Sequence, residues 1–378
     1  MKPPERGLRF WTYHENKFLT VMAIFVCLQQ FWVKFGVLHL DYVILFIKFL
    51  LLMFIIQNVV ASAKELRGVI WVNLLGSAYL SYYGMSQTVG GRMEGLGGNG
   101  MDANLIGMHF AAITFMGGYL LIERFRYTHI IIAGALGVIL MGLFMTESRG
   151  AILALVATGG LALFFPSQQS KGKFLLLGLM AATAVALLMG PQIIQRFESM
   201  ETDNLGEIKD KSAESRIVII EAQIEMWKKN PILGFGHRGT LVQSPDYLPE
   251  EYLTGPGVRA SHNLTMALLV DHGIIGALLY FSAAFIALIR IFGYRYRLAE
   301  GETLNDEQRL YSNMLVGSVL ALFCFLLAGQ GANNKKLEED IWFIALIPVL
   351  YREIKAFNRR TQVDEQRLAV QQETLKAR

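Results

Sequence analysis

The sequence predicts an all-α polytopic membrane protein, and three observations carry that prediction. Hydrophobic residues make up 53% of the 378 and charged residues only 17%, where a soluble chain holds about a quarter. The apolar residues gather in long runs joined by short basic connections, and mean hydropathy is +0.38. The runs are continuous and do not alternate with a period of two, which argues against an outer-membrane barrel. The expected architecture is about 10–12 transmembrane helices with one large outward-facing loop carrying short helices.

Ten apolar runs can be drawn, at 18–37, 41–60, 69–86, 104–122, 128–145, 150–165, 174–190, 262–289, 311–329 and 341–352. A bilayer core takes about 20 helical residues, so the shorter runs are expected to tilt or to extend past their apolar stretch. Pro348 interrupts the last. No small-residue cleavage site follows the first, which reads as a retained helix. Four regions result: N-terminal transmembrane helices over 1–190, a loop or cap over 191–261, C-terminal transmembrane helices over 262–352, and a cytoplasmic tail over 353–378.

The net charge of +4 says little, but its distribution orients the chain. Lysines and arginines cluster at 2–9, 64–67, 124–126, 171–173, 290–297 and 352–360, and placing these in the cytoplasm orients every span consistently, with both termini inside. Basic tails also suit anionic membrane lipids. The clusters are dispersed along loops, which offers nothing to nucleic acid. Cys27 and Cys324 both lie in apolar runs, so no disulfide or thiol metal site is implied.

Loop parity places 38–40, 87–103, 146–149, 191–261 and 330–340 on the outer side, and all the unusual polar chemistry falls there. The glycine-rich 91–100 does not follow a strand, so it is no dinucleotide fingerprint. The excursion over 191–261 holds eleven acidic and eight basic residues, too loop-rich for an independent domain and suited to capping a membrane cavity. Within it, 214–229 reads as a helix with Ile217, Ile220, Ile224 and Trp227 on its apolar face. Asn230-Pro231 stops that helix, and Gly234-Phe235-Gly236 makes a tight turn.

Arg149 follows Ser148, a natural N-cap, at the head of an apolar helix. Free backbone N–H groups, the helix dipole and a guanidinium together suit a phosphate; the alternative is an arginine anchoring a helix end. Arg216 reaches either a second phosphate oxygen or a surface carboxylate such as Glu214 or Glu221. His262 stands at the mouth of a long apolar helix, where dipole and desolvation favour its neutral form. Such an imidazole accepts a proton from a sugar hydroxyl, or else His262 and Asn263 satisfy the orphan N–H groups of that helix. Arg92 in the glycine-rich loop and Lys335 beside Lys336 are either ligand neighbours or a mobile loop and interfacial charges. Neither an Asp-x-Asp pair nor a His/Cys cluster of metal spacing occurs, so no metal or other cofactor is suggested. A transporter would show ionisable residues deep in helices or helices broken in pairs. Lys34 and Lys48 are the most evident ionisable residues in the apolar runs, without an acidic partner at the same depth, and polar features crowd one face instead.

Four stretches carry a resemblance. They are Gly91-Arg92 with Gly95 and Asn104; Ser148-Arg149-Gly150-Ala151; Arg216 with Trp227, Pro231 and Gly234-Phe235-Gly236; and His262-Asn263 with Gly273 and Gly276. In order, spacing and position against the apolar runs they resemble the O-antigen ligase/polymerase superfamily of polytopic membrane glycosyltransferases. Ala103-Asn104 departs from it, standing where a Pro-Asn is common. The resemblance implies a GT-C-like enzyme of the bacterial inner membrane with its active site facing the periplasm. It implies an undecaprenyl-pyrophosphate-linked O-antigen as donor and, for a ligase, lipid A–core oligosaccharide as acceptor. Transfer is expected to be metal-independent and inverting, with Arg149, Arg216 and His262 as catalytic residues. Arg92, Asn104, Ser148, Asn263 and Lys335 are the substrate-binding candidates. O-antigen ligase is the first reading; a repeat-unit polymerase of the same superfamily is the alternative, and a lipid-linked glycan transporter stands behind both.

Overall fold

A computed structural model describes residues 10–60, 62–89, 92–93, 102–122, 127–165, 172, 211–255, 257–298, 306–332 and 340–356. The predicted run 174–190, most of the glycine-rich loop, Lys335 with Lys336 and the tail beyond 356 lie outside the described residues. The chain is helical: α1 (His14–Gln29), α2 (Gly36–Val59), α3 (Ala63–Met85), α4 (Ala103–Gly118), α5 (Thr128–Met145) and α6 (Arg149–Ala162) come first. They are followed by α7 (Lys211–Lys229), α8 (Gly239–Tyr247), α9 (Leu264–Leu298), α10 (Asp306–Ala328) and α11 (340–356). A two-residue antiparallel ladder pairs Thr88–Val89 with Arg92–Met93. Nine of the ten predicted runs fall on α1–α6 and α9–α11.

Among the described residues, five helices are long and apolar enough to cross a membrane. Ala103–Ile122 and Gln308–Gly331 are 72% and 78% buried against 39–44% for the other three, so α4 and α10 form the centre of the bundle. Small residues bring them together: a Cβ on Gly317 of α10 would stand 3.0 Å from the Phe115 carbonyl oxygen of α4. Around this pair α5 and α6 pack on α4, α3 packs on α5, and α1 lies along α9.

Three local features differ from the sequence-based expectation. The first helix stops at Gln29 and not at 37. Gln29 is fully buried, its Nε2 donating to the carbonyls of Leu233 (2.5 Å) and Asp271 (3.1 Å) and its Oε1 lying 2.6 Å from His272 Nδ1. The helix expected over 262–289 is broken at Gly273 (φ 61°, ψ −168°) and resumes to Leu298. Its severed backbone groups are met by the turn after α7: Phe235 and Gly236 N–H donate to the Val270 and Asp271 carbonyls at 2.9 and 2.7 Å, and Ile274 N–H donates to Pro231 O at 2.8 Å. In a bilayer a broken helix persists only with such replacement partners. Finally, α7 buries Ile219, Ala222, Gln223 and Met226, while Ile217 is 48% exposed. The predicted face is therefore rotated, because the true one contains a glutamine that a hydrophobic period passes over.

Buried polar residues hold both ends of the bundle. Arg290 of α9 forms a two-point ion pair with Glu15 of α1 at one end. Towards the other, Asp271, His272, His237, His39 and Tyr42 are all buried around the break. Tyr42 stacks on His237 with ring centres 4.1 Å apart, the Arg238 N–H donates to Asp271 Oδ2 (2.9 Å), and the His237 N–H donates to His39 Nδ1 (3.0 Å). Lys48, by contrast, is exposed on α2.

Candidate active site

The loops before α4, α6 and α9, the start of α7 and the end of α10 meet at one end of the bundle. Ser148 caps α6, its hydroxyl accepting from Ala151 N–H (3.4 Å) and donating to Asn104 Oδ1 (3.0 Å). Asn104 is fixed in turn by Asp102, whose Oδ1 accepts from its backbone N–H and its Nδ2, both at 3.0 Å. Glu147 just before the cap takes a left-handed conformation (φ 51°), which turns the chain sharply from α5 into α6. Glycine at position 107 allows this close approach: a Cβ there would lie 2.9 Å from Thr146 Oγ1 and 3.0 Å from Ser148 Cβ. The N-terminus of α6, with Arg149 as its first residue, is thus set rigidly against α4.

Arg216 comes to the same place from α7. A Cβ on Gly331, in the turn after α10, would stand 3.9 Å from Arg216 Nη1 and 3.6 Å from Gly150 Cα. The helix end that carries Arg149 and the Arg216 guanidinium therefore face each other across Gly331, although 67 sequence positions separate them.

His262 completes the group. Burial lowers its pKa below the ordinary 6.5; Arg259 and Arg216 lower it further, and Asp102 opposes them. At neutral pH it is an imidazole beside two guanidinium groups and one carboxylate. Its neighbours are pinned: Ser244 Oγ accepts from Arg259 N–H (2.7 Å), Gln223 Nε2 donates to Ser261 Oγ (2.8 Å), and Asn263 Nδ2 donates to Gln330 O (3.0 Å). Asn263 Oδ1 accepts from Met266 N–H (2.9 Å), so Asn263 caps α9 and leaves His262 to other work.

The candidate residues sort as follows. Arg149, Arg216, His262, Asn104, Ser148 and Asn263 share one end of the fold. Ser148 is buried and its hydroxyl is engaged on both sides; Asn104 positions Ser148. Arg92 is described through its backbone pairing with Val89, and Lys335 lies outside the described residues. Sequence reasoning missed Arg259, Asp102 and Gln330. The spacing Arg259–His262 was the available signal, since three residues in an irregular strap keep two side chains near one another. Among the described residues no three His, Cys, Asp or Glu side chains group as metal ligands do.

Residues 134–281 match the family model described as O-antigen ligase. That span runs from α5 to the first half of α9 and contains Arg149, Arg216 and His262. No curated protein matches the chain. It is similar to a solved chain from work described as structural coordination of polymerization and crosslinking by a peptidoglycan synthase complex, at 14% identity and a TM-score of 0.44, over 90% of this chain and 97% of that one. Residues 134–281 of this multi-pass membrane protein are thus similar to the O-antigen ligase family, in a span that holds three of the four sequence stretches.

Proposed function

We propose that the protein is an O-antigen ligase, moving a glycan from undecaprenyl pyrophosphate to a hydroxyl of lipid A–core oligosaccharide at the periplasmic face of the inner membrane. The observation that carries this reading is the convergence of the Arg149 helix end, Arg216 and a neutral His262 inside the family-matched span. His262 takes the proton of the acceptor hydroxyl as its oxygen bonds to the anomeric carbon. The bond from that carbon to the phosphate oxygen breaks, and its electron pair leaves with the lipid pyrophosphate. Attack opposite the leaving group inverts the anomeric centre.

The charge that develops on the leaving oxygen falls to Arg149, Arg216 and the N–H groups of the first turn of α6. Loss of one such donor costs about 3–4 kcal/mol in the transition state. General-base action by His262 contributes roughly 10²–10⁴-fold. Arg259 adds a third positive charge to a site meant for a pyrophosphate.

The test is transfer in vitro, with undecaprenyl-pyrophosphate-linked glycan and purified lipid A–core, by wild type, His262→Ala and Arg216→Ala. Glycosylated lipid A–core with wild type, lost in both folded variants, is the expected result. Elongation of the lipid-linked glycan with no transfer to lipid A–core would make the protein a polymerase. Full activity in both variants would end the site assignment.

A further inference from the structure

Gln223 is a fully buried amide within a small apolar cluster formed by Ile219, Ala222, Met226, Leu248 and Val270. Neither composition nor family motif singles it out. Its Nε2 makes two hydrogen bonds to two different elements: 2.9 Å to Thr240 Oγ1 of α8, and 2.8 Å to Ser261 Oγ on the strap before α9. Ser261 Oγ in turn donates to the Asn263 carbonyl (3.0 Å) and accepts from the Asn263 N–H (3.2 Å). His262 is the residue between these two anchors. Seven positions before Gln223 on the same helix, two turns away and on the same face, stands Arg216.

Resting on the function proposed above, we infer that Gln223 is a positioning residue that fixes the His262 imidazole at a set distance from the Arg216 guanidinium. One rigid helix carries Arg216 at its start and, through Gln223, grips the strap that bears His262. The amide is only half satisfied. Its Oε1 is buried and has no hydrogen-bond partner among the described residues, and a methionine of similar volume would fill the same space without that defect. What methionine lacks is the pair of donors that tie α7 to α8 and to the strap. Without the amide the buried Thr240 and Ser261 hydroxyls each lose an incoming hydrogen bond, at about 1 kcal/mol each, and the strap loses its tie to α7.

The experiment compares wild type, Gln223→Met, Ser261→Ala and the double variant in the reconstituted transfer assay, with thermal unfolding in detergent alongside. Gln223→Met is expected to stay folded with an unfolding temperature modestly below wild type, to keep the donor KM and to lose about 10–100-fold in kcat, the scale of an ångström-sized misplacement. Ser261→Ala is expected to lose a similar factor and the double variant no more than either single one, because both act through one contact. An unchanged kcat in Gln223→Met, or losses that multiply in the double variant, would overturn the inference. NMR titration of the His262 imidazole, assigned by its disappearance in His262→Gln, gives a readout independent of transfer. A shifted titration in Gln223→Met supports the positioning role even where wild type transfers nothing, a result that would sink the ligase reading alone; an identical titration counts against the role.

Discussion

Gly273 is where the fold is most exposed to a single atom. Its backbone (φ 61°, ψ −168°) lies in a region open almost exclusively to glycine, and a side chain there costs about 1–3 kcal/mol in backbone strain. A Cβ at this position would stand 2.1 Å from the Ile232 carbonyl oxygen, 2.3 Å from its carbon and 2.7 Å from Leu233 N. These are backbone atoms, so no rotamer relieves the clash, and the turn after α7 must move by about an ångström to restore van der Waals distance. That movement breaks the bonds from Ile274 and Ile275 N–H to the Pro231 and Ile232 carbonyls, now 2.8 and 3.5 Å, at about 1 kcal/mol each. Gly273→Ala is therefore expected to destabilise the protein by about 3–5 kcal/mol. The assay is thermal unfolding of purified protein in one detergent, followed by tryptophan fluorescence. Gly134→Ala on α5 is the control, because a Cβ there meets nothing within 4 Å and alanine favours a helix by about 0.5–1 kcal/mol. If Gly273→Ala melts with wild type while Gly134→Ala behaves as expected, the break at Gly273 is not part of the folded protein.

Two further expectations concern the site. In the proposed mechanism His262 serves as a base only when neutral, so kcat/KM should fall on the acid side as the imidazole protonates, at a pH below its ordinary 6.5. Arg259→Gln removes a cause that lowers this pKa and should move the acid limb to higher pH. Asp102→Asn removes the cause that raises it, keeps an oxygen to cap α4, and should move the limb lower; shifts of the same sign in both variants would refute the charge arrangement. Gly331→Ala should be tolerated, since its Cβ makes ordinary contacts at 3.6 and 3.9 Å, whereas Gly331→Leu should fill the space between Gly150 and Arg216. Loss of transfer by Gly331→Leu at wild-type thermal stability is the expected outcome, and equal activity in the two variants would place the donor elsewhere.

Hydrophobic runs revealed the helices of this protein because in a membrane an apolar stretch of the right length has few other conformations open to it. The same logic hid the break in α9. Asp271-His272-Gly273 interrupts an apolar run without ending it, and glycine is common in transmembrane helices, so sequence alone continues the helix through it. The turn at Gly234-Phe235-Gly236 was legible, but its partner was not, because nothing local says that a loop leaving α7 will seat on a helix that begins later in the chain. On α7, periodicity selected Ile217, Ile220, Ile224 and Trp227, whereas the buried face is Ile219, Ala222, Gln223 and Met226. A buried glutamine counts against the right face in any hydrophobic tally. Arg149, Arg216 and His262 stood out because each begins a helix or lies in a motif. Arg259 and Asp102 carry no such mark; the short spacing from Arg259 to His262 was the one hint, and the nearness of Asp102 exists only once the chain is folded.

The break in α9 and the strap at its head belong to one mechanical unit. Asp271, beside the break, accepts from the Arg238 N–H at the start of α8. From α8, Ser244 holds the Arg259 backbone and Thr240 receives Gln223, which holds Ser261. The cap is thus seated on groups inside the apolar bundle and not merely laid over it. The glycosyl transfer proposed above needs cations and a base held still while charge moves between them, since reorganising those groups during the reaction would forfeit much of their effect. A loop anchored only at its two ends in the membrane would not provide that rigidity. A helix that breaks where the cap inserts does, and it explains why a chain with so apolar a composition keeps histidines and an aspartate buried beside Gly273.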